Sequence, residues 1–170
     1  MWSVKNKVCV LTGSTSGLGF ETTKALRDAG AILNLIVRNQ ARKDGLIKEF
    51  PNANYYFADF SNLQEIKEVS QTIALDHPKI DLLVNNAGVI SYDTLTLTKD
   101  GLEATITINY LSHYILTEAL LPNLSHNDES RIVSTGSLVH RHSNLEFNNL
   151  YHEGSYKPMK MYATSKMMLV

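Results

Sequence analysis

The sequence predicts an α/β fold, a doubly wound parallel sheet of the Rossmann type, and three observations lead to it. Short β-rich apolar runs alternate with longer amphipathic segments. The runs are almost continuously apolar, as strands covered on both faces must be. A glycine-rich turn joins the first run to the first amphipathic segment. Strand–helix alternation implies right-handed βαβ crossovers and hence parallel strands.

The elements follow in order. Val8–Thr12 reads as the first strand, and Gly17 to Ala29 as a helix with apolar positions at Leu18, Ala25, Leu26 and Ala29. Gly30 is a natural stop for it. Ala31 to Val37 is a second strand and Ala53 to Ala58 a third. Ser61-Asn62-Leu63-Gln64 reads as a capping box, opening a helix that runs through Ile66, Val69 and Ile73 to about Asp76. Ile80–Val84 is the fourth strand, followed by a long helix from about Lys99 to Leu121, with Pro122 near its end. Arg131–Thr135 is the fifth strand, and a last helix begins near Pro158. No internal repeat or linker interrupts the pattern, so residues 1–170 read as a single domain.

Composition narrows the function. Of 170 residues, 44% are apolar and 19% charged, values of an ordinary globular protein. Net charge is −1 and the lysines and arginines form no stripe, which argues against a nucleic-acid or anionic-membrane surface. The apolar runs are too short to span a bilayer, and the N-terminus carries no signal-like apolar stretch. The lone Cys9 excludes a disulfide framework. A reducing cytoplasmic setting is the expectation.

The first strand ends in Thr12-Gly13-Ser14-Thr15-Ser16-Gly17-Leu18-Gly19. A pyrophosphate can rest on a helix N-terminus only where backbone N–H groups approach it unobstructed by a Cβ. Gly13 suits the tight turn, Gly17 the close approach and Gly19 the packing of helix on strand. The spacing is Gly-x-x-x-Gly-x-Gly, and it sits after a strand and before a helix, the context a dinucleotide site needs.

This turn resembles the glycine motif of the short-chain dehydrogenase/reductase family. The likeness continues through Asn85-Asn86-Ala87-Gly88 to Tyr162-Ala163-Thr164-Ser165-Lys166. Thr98-Lys99-Asp100-Gly101-Leu102-Glu103, Asn109, Leu120-Leu121-Pro122 and Ser137-Leu138-Val139-His140 are similar to its retinol-dehydrogenase-like branch. The resemblance implies a nicotinamide cofactor held by the whole turn from Gly13 to Gly19. It also implies an adenine contact at Asp59 with the Phe60 backbone beside it. Asn86, Ala87 and Gly88 would line the adenosine side. From chemistry alone, Asp59 reads equally well as a helix cap, and Asn85–Gly88 as a turn.

Where an NAD-binding fold places a carboxylate to accept from the ribose hydroxyls, this chain has Val37 followed by Arg38. Repulsion against a 2′-phosphate is removed and a guanidinium supplied, so NADP(H) is expected over NAD(H).

Tyr162 and Lys166 are four apart and share one helix face. An isolated phenol is a poor base at neutral pH. An ammonium about 5 Å away, at an effective dielectric near 20, favours phenolate by roughly 3 kcal/mol. The pair can therefore serve as acid and base in carbonyl reduction or alcohol oxidation. Lys166 would also hold the nicotinamide ribose. The resemblance implies that Ser137 polarises the substrate oxygen, with Ser134 a lesser candidate, and that Asn109 sits in a distorted stretch of the long helix and completes a proton relay. His140, Arg141 and His142 have no suitably spaced carboxylate or cysteine partner, so no metal site is expected.

The family resemblance implies further strands and a substrate loop beyond Val170. On that expectation the fifth strand has an unpaired edge, and this polypeptide alone is poorly stable and weakly active. The leading expectation is an NADP-dependent oxidoreductase acting on an apolar alcohol, aldehyde or ketone. The alternative is a cofactor-binding regulatory protein without turnover. Family members commonly form dimers or tetramers through the long helix and the tyrosine helix.

Overall fold

The computed structural model describes residues 2–90, 92–124 and 129–170. Five parallel strands form one sheet: β1 (Val8–Thr12), β2 (Ile32–Val37), β3 (Asn54–Phe57), β4 (Leu82–Asn85) and β5 (Arg131–Ser134). Their order is β3-β2-β1-β4-β5. The chain therefore winds outward from β1 to β3, then crosses back to β4 on the other side of β1. The carboxyl ends of β1 and β4 flank the point where the winding reverses, the place where doubly wound sheets open a crevice.

Strand alternation divides the interior in two. Cys9, Leu11, Leu33, Leu35 and Val37 face one side, packed with Phe20, Leu46 and Phe50. Val10, Ile36 and Leu83 face the other, packed with Ile66, Ile73, Leu116 and Leu120. Helices α1 (Gly17–Asp28) and α2 (Gln40–Leu46) cover the first face. Helices α3 (Leu63–Asp76) and α5 (Ser112–Leu124) cover the second. The strand β5 differs from the expected buried type, since all four of its residues are exposed.

Local chemistry explains most boundaries. α1 stops in a Schellman turn: the Gly30 amide donates to the Arg27 carbonyl at 2.9 Å, and Ala31 to Leu26 at 3.0 Å. α3 starts one residue later than the expected capping box. Asn62 is the cap, its Oδ1 accepting from the Gln64 amide at 3.2 Å, while the Ser61 hydroxyl donates to Asp59 at 2.8 Å. Glu65, not Gln64, reaches back, accepting from the Asp59 amide at 2.8 Å.

The long helix also starts later than Lys99. Residues up to Glu103 form a bridged turn in which Leu97 pairs with Glu103. The buried Glu103 carboxylate then caps α4 (Ala104–Ile106) by accepting from the Ile106 amide at 2.7 Å. A π-helical turn, Thr107–Leu111, separates α4 from α5. Pro122 is tolerated in the last turn of α5. A 3-10 helix, Leu138–His142, packs on α6 (Pro158–Met167), which bears the tyrosine and lysine.

Candidate active site

The glycine turn and the β4 exit are tied together by one hydroxyl. Thr12 Oγ1 accepts from the amides of Asn86 at 2.9 Å and Ala87 at 2.8 Å. The Asn86 side-chain amide donates to the Thr12 and Gly13 carbonyls, each at 3.2 Å, and its oxygen accepts from the Thr135 hydroxyl at 3.1 Å. The ends of β1, β4 and β5 are thus fixed to one another. At Gly19 a Cβ would stand 2.0 Å from the Gly13 carbonyl oxygen, so the turn can close on the helix only with glycine there. Ser16 caps α1 without a side-chain hydrogen bond, unlike Asn39 on α2 and Asn62 on α3. Its hydroxyl and the amides of the first turn are left to other partners.

These segments frame a cleft of about 250 Å³. Its walls include Gly13, Thr15, Ser16, Leu18 and Gly19 from the turn, Arg38 after β2, Phe60 after β3, and Asn86, Ala87 and Gly88 after β4. Ten of the residues expected at a cofactor therefore meet at one place. Ser14, Gly17 and Asp59 are not among those walls. Ser14 is fully buried and its hydroxyl has no hydrogen-bond partner. Asp59 is committed elsewhere: its Oδ1 accepts the Ser61 amide and hydroxyl at 2.8 Å each, and its Oδ2 lies 3.6 Å from Arg38 Nε. An exposed pair of this kind contributes at most about 1 kcal/mol, so it is easily exchanged for another partner.

The other expected group gathers around α6. Lys166 is 5% exposed, and its Nζ donates to the Thr135 carbonyl at 2.7 Å and sits 5.9 Å from the Tyr162 ring centroid. Burial holds the ammonium below the usual lysine range. Asn109 lies in the π-helical turn, where the expected helix distortion is indeed found. Its Oδ1 accepts from the Val89 amide at 2.8 Å, and its Nδ2 donates to the Val89 carbonyl and to Ser165 Oγ, each at 2.9 Å. Ser137 caps the 3-10 helix that packs on α6, its Oγ accepting from Val139 at 3.3 Å.

Gly88 joins the two groups. It belongs to the cleft wall, and a Cβ placed on it would stand 3.1 Å from Asn109 Oδ1 and 3.9 Å from Lys166 Nζ. Gly88 therefore stands between the cleft and the lysine, although Lys166, Tyr162, Asn109 and Ser137 are not themselves among the cleft walls. Among the described residues, no three His, Cys, Asp or Glu side chains converge as a metal site would need, and no helix is long and apolar enough to cross a membrane.

Sequence reasoning missed three participants. Thr12 reads as the last residue of a strand, and nothing local marks its hydroxyl as a junction. Arg42, on the cleft wall beside Arg38, belongs to α2, which the sequence reading left out. His113 is 3% exposed and hydrogen-bonded to Thr12 and to the Asn109 carbonyl; its one sequence signal is its place four residues after Asn109.

The short chain dehydrogenase family model matches residues 7–152. The chain is 32% identical to short-chain dehydrogenase/reductase prx1 of Penicillium roqueforti, over 96% of this chain and 50% of that protein. It is likewise 32% identical to human retinol dehydrogenase 11, over 95% of this chain and 52% of that one. The chain thus spans about half the length of these relatives. Among solved structures, an uncharacterized protein of Mycobacterium paratuberculosis superposes with a TM-score of 0.85 at 28% identity, covering 97% of this chain and 59% of the other.

Proposed function

The chain belongs to the short-chain dehydrogenase family, and on that premise we propose that it is the cofactor-binding, catalytic unit of an NADP(H)-dependent oxidoreductase acting on an apolar alcohol or carbonyl compound. The observation that carries the reading is Gly88, which belongs to the wall of the glycine-turn cleft and on which a Cβ would stand within 4 Å of both Asn109 Oδ1 and Lys166 Nζ. A dinucleotide fits the residues present, because the uncapped start of α1 offers amides to a pyrophosphate and the bare Gly19 keeps the turn closed.

Preference for the 2′-phosphate rests on Val37, where a carboxylate would repel it, and on Arg38 and Arg42 on the same wall. A reduced nicotinamide held by the glycine turn, Arg38 and Arg42 would supply the hydride for carbonyl reduction. Tyr162 gives its phenolic proton to the carbonyl oxygen as negative charge builds there. Lys166, fixed by the Thr135 carbonyl, favours the phenolate left behind. Ser137 donates to the same substrate oxygen. Asn109 holds the Val89 backbone and Ser165 at the foot of α6, keeping Lys166 in register for proton return. In alcohol oxidation the same groups run in reverse, with the phenolate as base.

An apolar substrate is supported by Leu138 and Phe147, which stand 74% and 77% exposed close after Ser137 in the chain, and by a relative named for retinol. NADPH consumption by the full-length protein over a panel of apolar aldehydes and ketones tests the reading. Turnover that disappears in Tyr162→Phe while NADPH still binds is the expected result. NADPH binding with no turnover on any carbonyl would favour a regulatory cofactor-binding protein instead.

A further inference from the structure

Among the described residues, His113 is a buried titratable side chain that bridges the glycine turn to the catalytic group without touching the cleft. It lies in the first turn of α5, 3% exposed, with its ring 5.0 Å from that of Phe60. Nε2 stands 3.1 Å from Thr12 Oγ1 and Nδ1 stands 3.2 Å from the Asn109 carbonyl.

The chemistry of the partners fixes its proton. A carbonyl can only accept, so Nδ1 carries the hydrogen. Thr12 Oγ1 has two lone pairs, and the Asn86 and Ala87 amides already occupy both. Toward His113 the hydroxyl must therefore donate, its one hydrogen shared between Nε2 at 3.1 Å and the Val84 carbonyl at 3.3 Å, and Nε2 must be bare. The result is a directed chain with a side branch to the Val84 carbonyl. The amides of Asn86 and Ala87 donate to Thr12, the Thr12 hydroxyl donates to Nε2, and Nδ1–H donates to Asn109. Burial, aided by the Lys166 charge, pushes the imidazole down to about 4, which keeps it in this neutral form at ordinary pH.

The far end of the chain is the informative one. A π-turn widens the helix and shifts its carbonyls out of the ordinary α register. The Asn109 carbonyl lies in such a turn, and the side chain of the same residue holds Val89 and Ser165. The near end organises Asn86 and Ala87 on the cleft wall. We propose that His113 is a positioning residue that couples the nucleotide-side turn to the Asn109 arm of the catalytic group through this one hydrogen-bond chain. The inference rests on the functional reading above and adds a residue to it.

Three variants of the full-length protein test it. His113→Phe keeps a ring but cuts both ends. His113→Gln places an amide where Nε2 stands, and His113→Asn places one where Nδ1 stands. Losing one bond of a buried network is on the order of a tenfold effect. In the Phe variant the Kd for NADPH is expected to rise and kcat to fall, each about tenfold. Gln should recover most of the NADPH affinity and leave kcat low; Asn should recover kcat and leave affinity weak. If the Phe variant does not fold, the Gln–Asn split alone decides. A Phe variant with unchanged Kd and kcat overturns the inference. So does a parallel loss of affinity, kcat and thermal stability in all three, which is the mark of a merely structural residue. Wild-type protein that binds no NADPH overturns the functional reading and this inference with it; the other two outcomes overturn this inference alone.

Discussion

Lys166 is where position and charge meet most closely. Its ammonium is anchored on the Thr135 carbonyl, held below its usual range by burial, and set against the Tyr162 ring. Its spacing from Tyr162 made the pair legible in the sequence, because helical periodicity places residues four apart on one face. His113 was not legible, since a histidine among apolar residues gives no sign of which hydrogen bonds it makes. Two predictions belong at this scale. Removing a guanidinium from the cleft wall should weaken attraction for a 2′-phosphate far more than for a hydroxyl. Arg38→Ala and Arg42→Ala should therefore each raise the KM for NADPH on the order of tenfold and leave that for NADH nearly unchanged. Equal effects on the two would contradict the assignment. The second concerns pH. The His113 imidazole lies below its ordinary value of 6.5, so the unfolded chain takes up the proton first as pH falls. Its contribution is intact above pH 6.5 and is lost as pH falls from there toward 4. From pH 7 to pH 5 it amounts to about 2 kcal/mol. Denaturant unfolding of wild type against His113→Gln should show that share of the acid slope vanish in the variant.

Among the elements, the strands and the three longer helices were readable from apolar runs and periodicity, whereas boundaries depended on individual caps. The α3 start shows why. Ser61 and Gln64 have the capping-box spacing, but Asp59 takes the Ser61 hydroxyl and leaves the cap to Asn62. Thermal or chemical unfolding should find Asn62→Ala costing about 1 kcal/mol, within the range for lost caps. Ser61→Ala should cost less. α2 was missed because Gln40-Ala41-Arg42-Lys43-Asp44-Gly45-Leu46 buries only Leu46 and so carries no apolar stripe. Its start is held by Asn39, which accepts from the Arg42 amide at 3.1 Å. The turn before α1 allows the sharpest test of an element. Gly19→Ala would drive a Cβ to 2.0 Å from a backbone oxygen, so the turn must open, and NADPH affinity should fall well beyond tenfold. Wild-type affinity in that variant would mean the turn does not hold the nucleotide.

For the whole molecule, the sheet order β3-β2-β1-β4-β5 does the organising. It sets the ends of β1 and β4 side by side, so two motifs distant in sequence, Thr12–Gly19 and Asn85–Gly88, touch and contribute neighbouring residues to the wall of one cleft. Alternating strands and helices made this architecture predictable, because crossover handedness leaves few ways to wind such a chain. The hydrogen bonds that stitch the walls could not be read in advance, since they join residues brought together only by the finished sheet. What occupies that cleft decides the function. Fluorescence titration of the protein with NADPH, with 2′,5′-ADP as competitor, addresses it directly. Saturable binding that 2′,5′-ADP displaces, and that NADH reproduces only weakly, is the predicted result; no binding, or binding indifferent to 2′,5′-ADP, would contradict it.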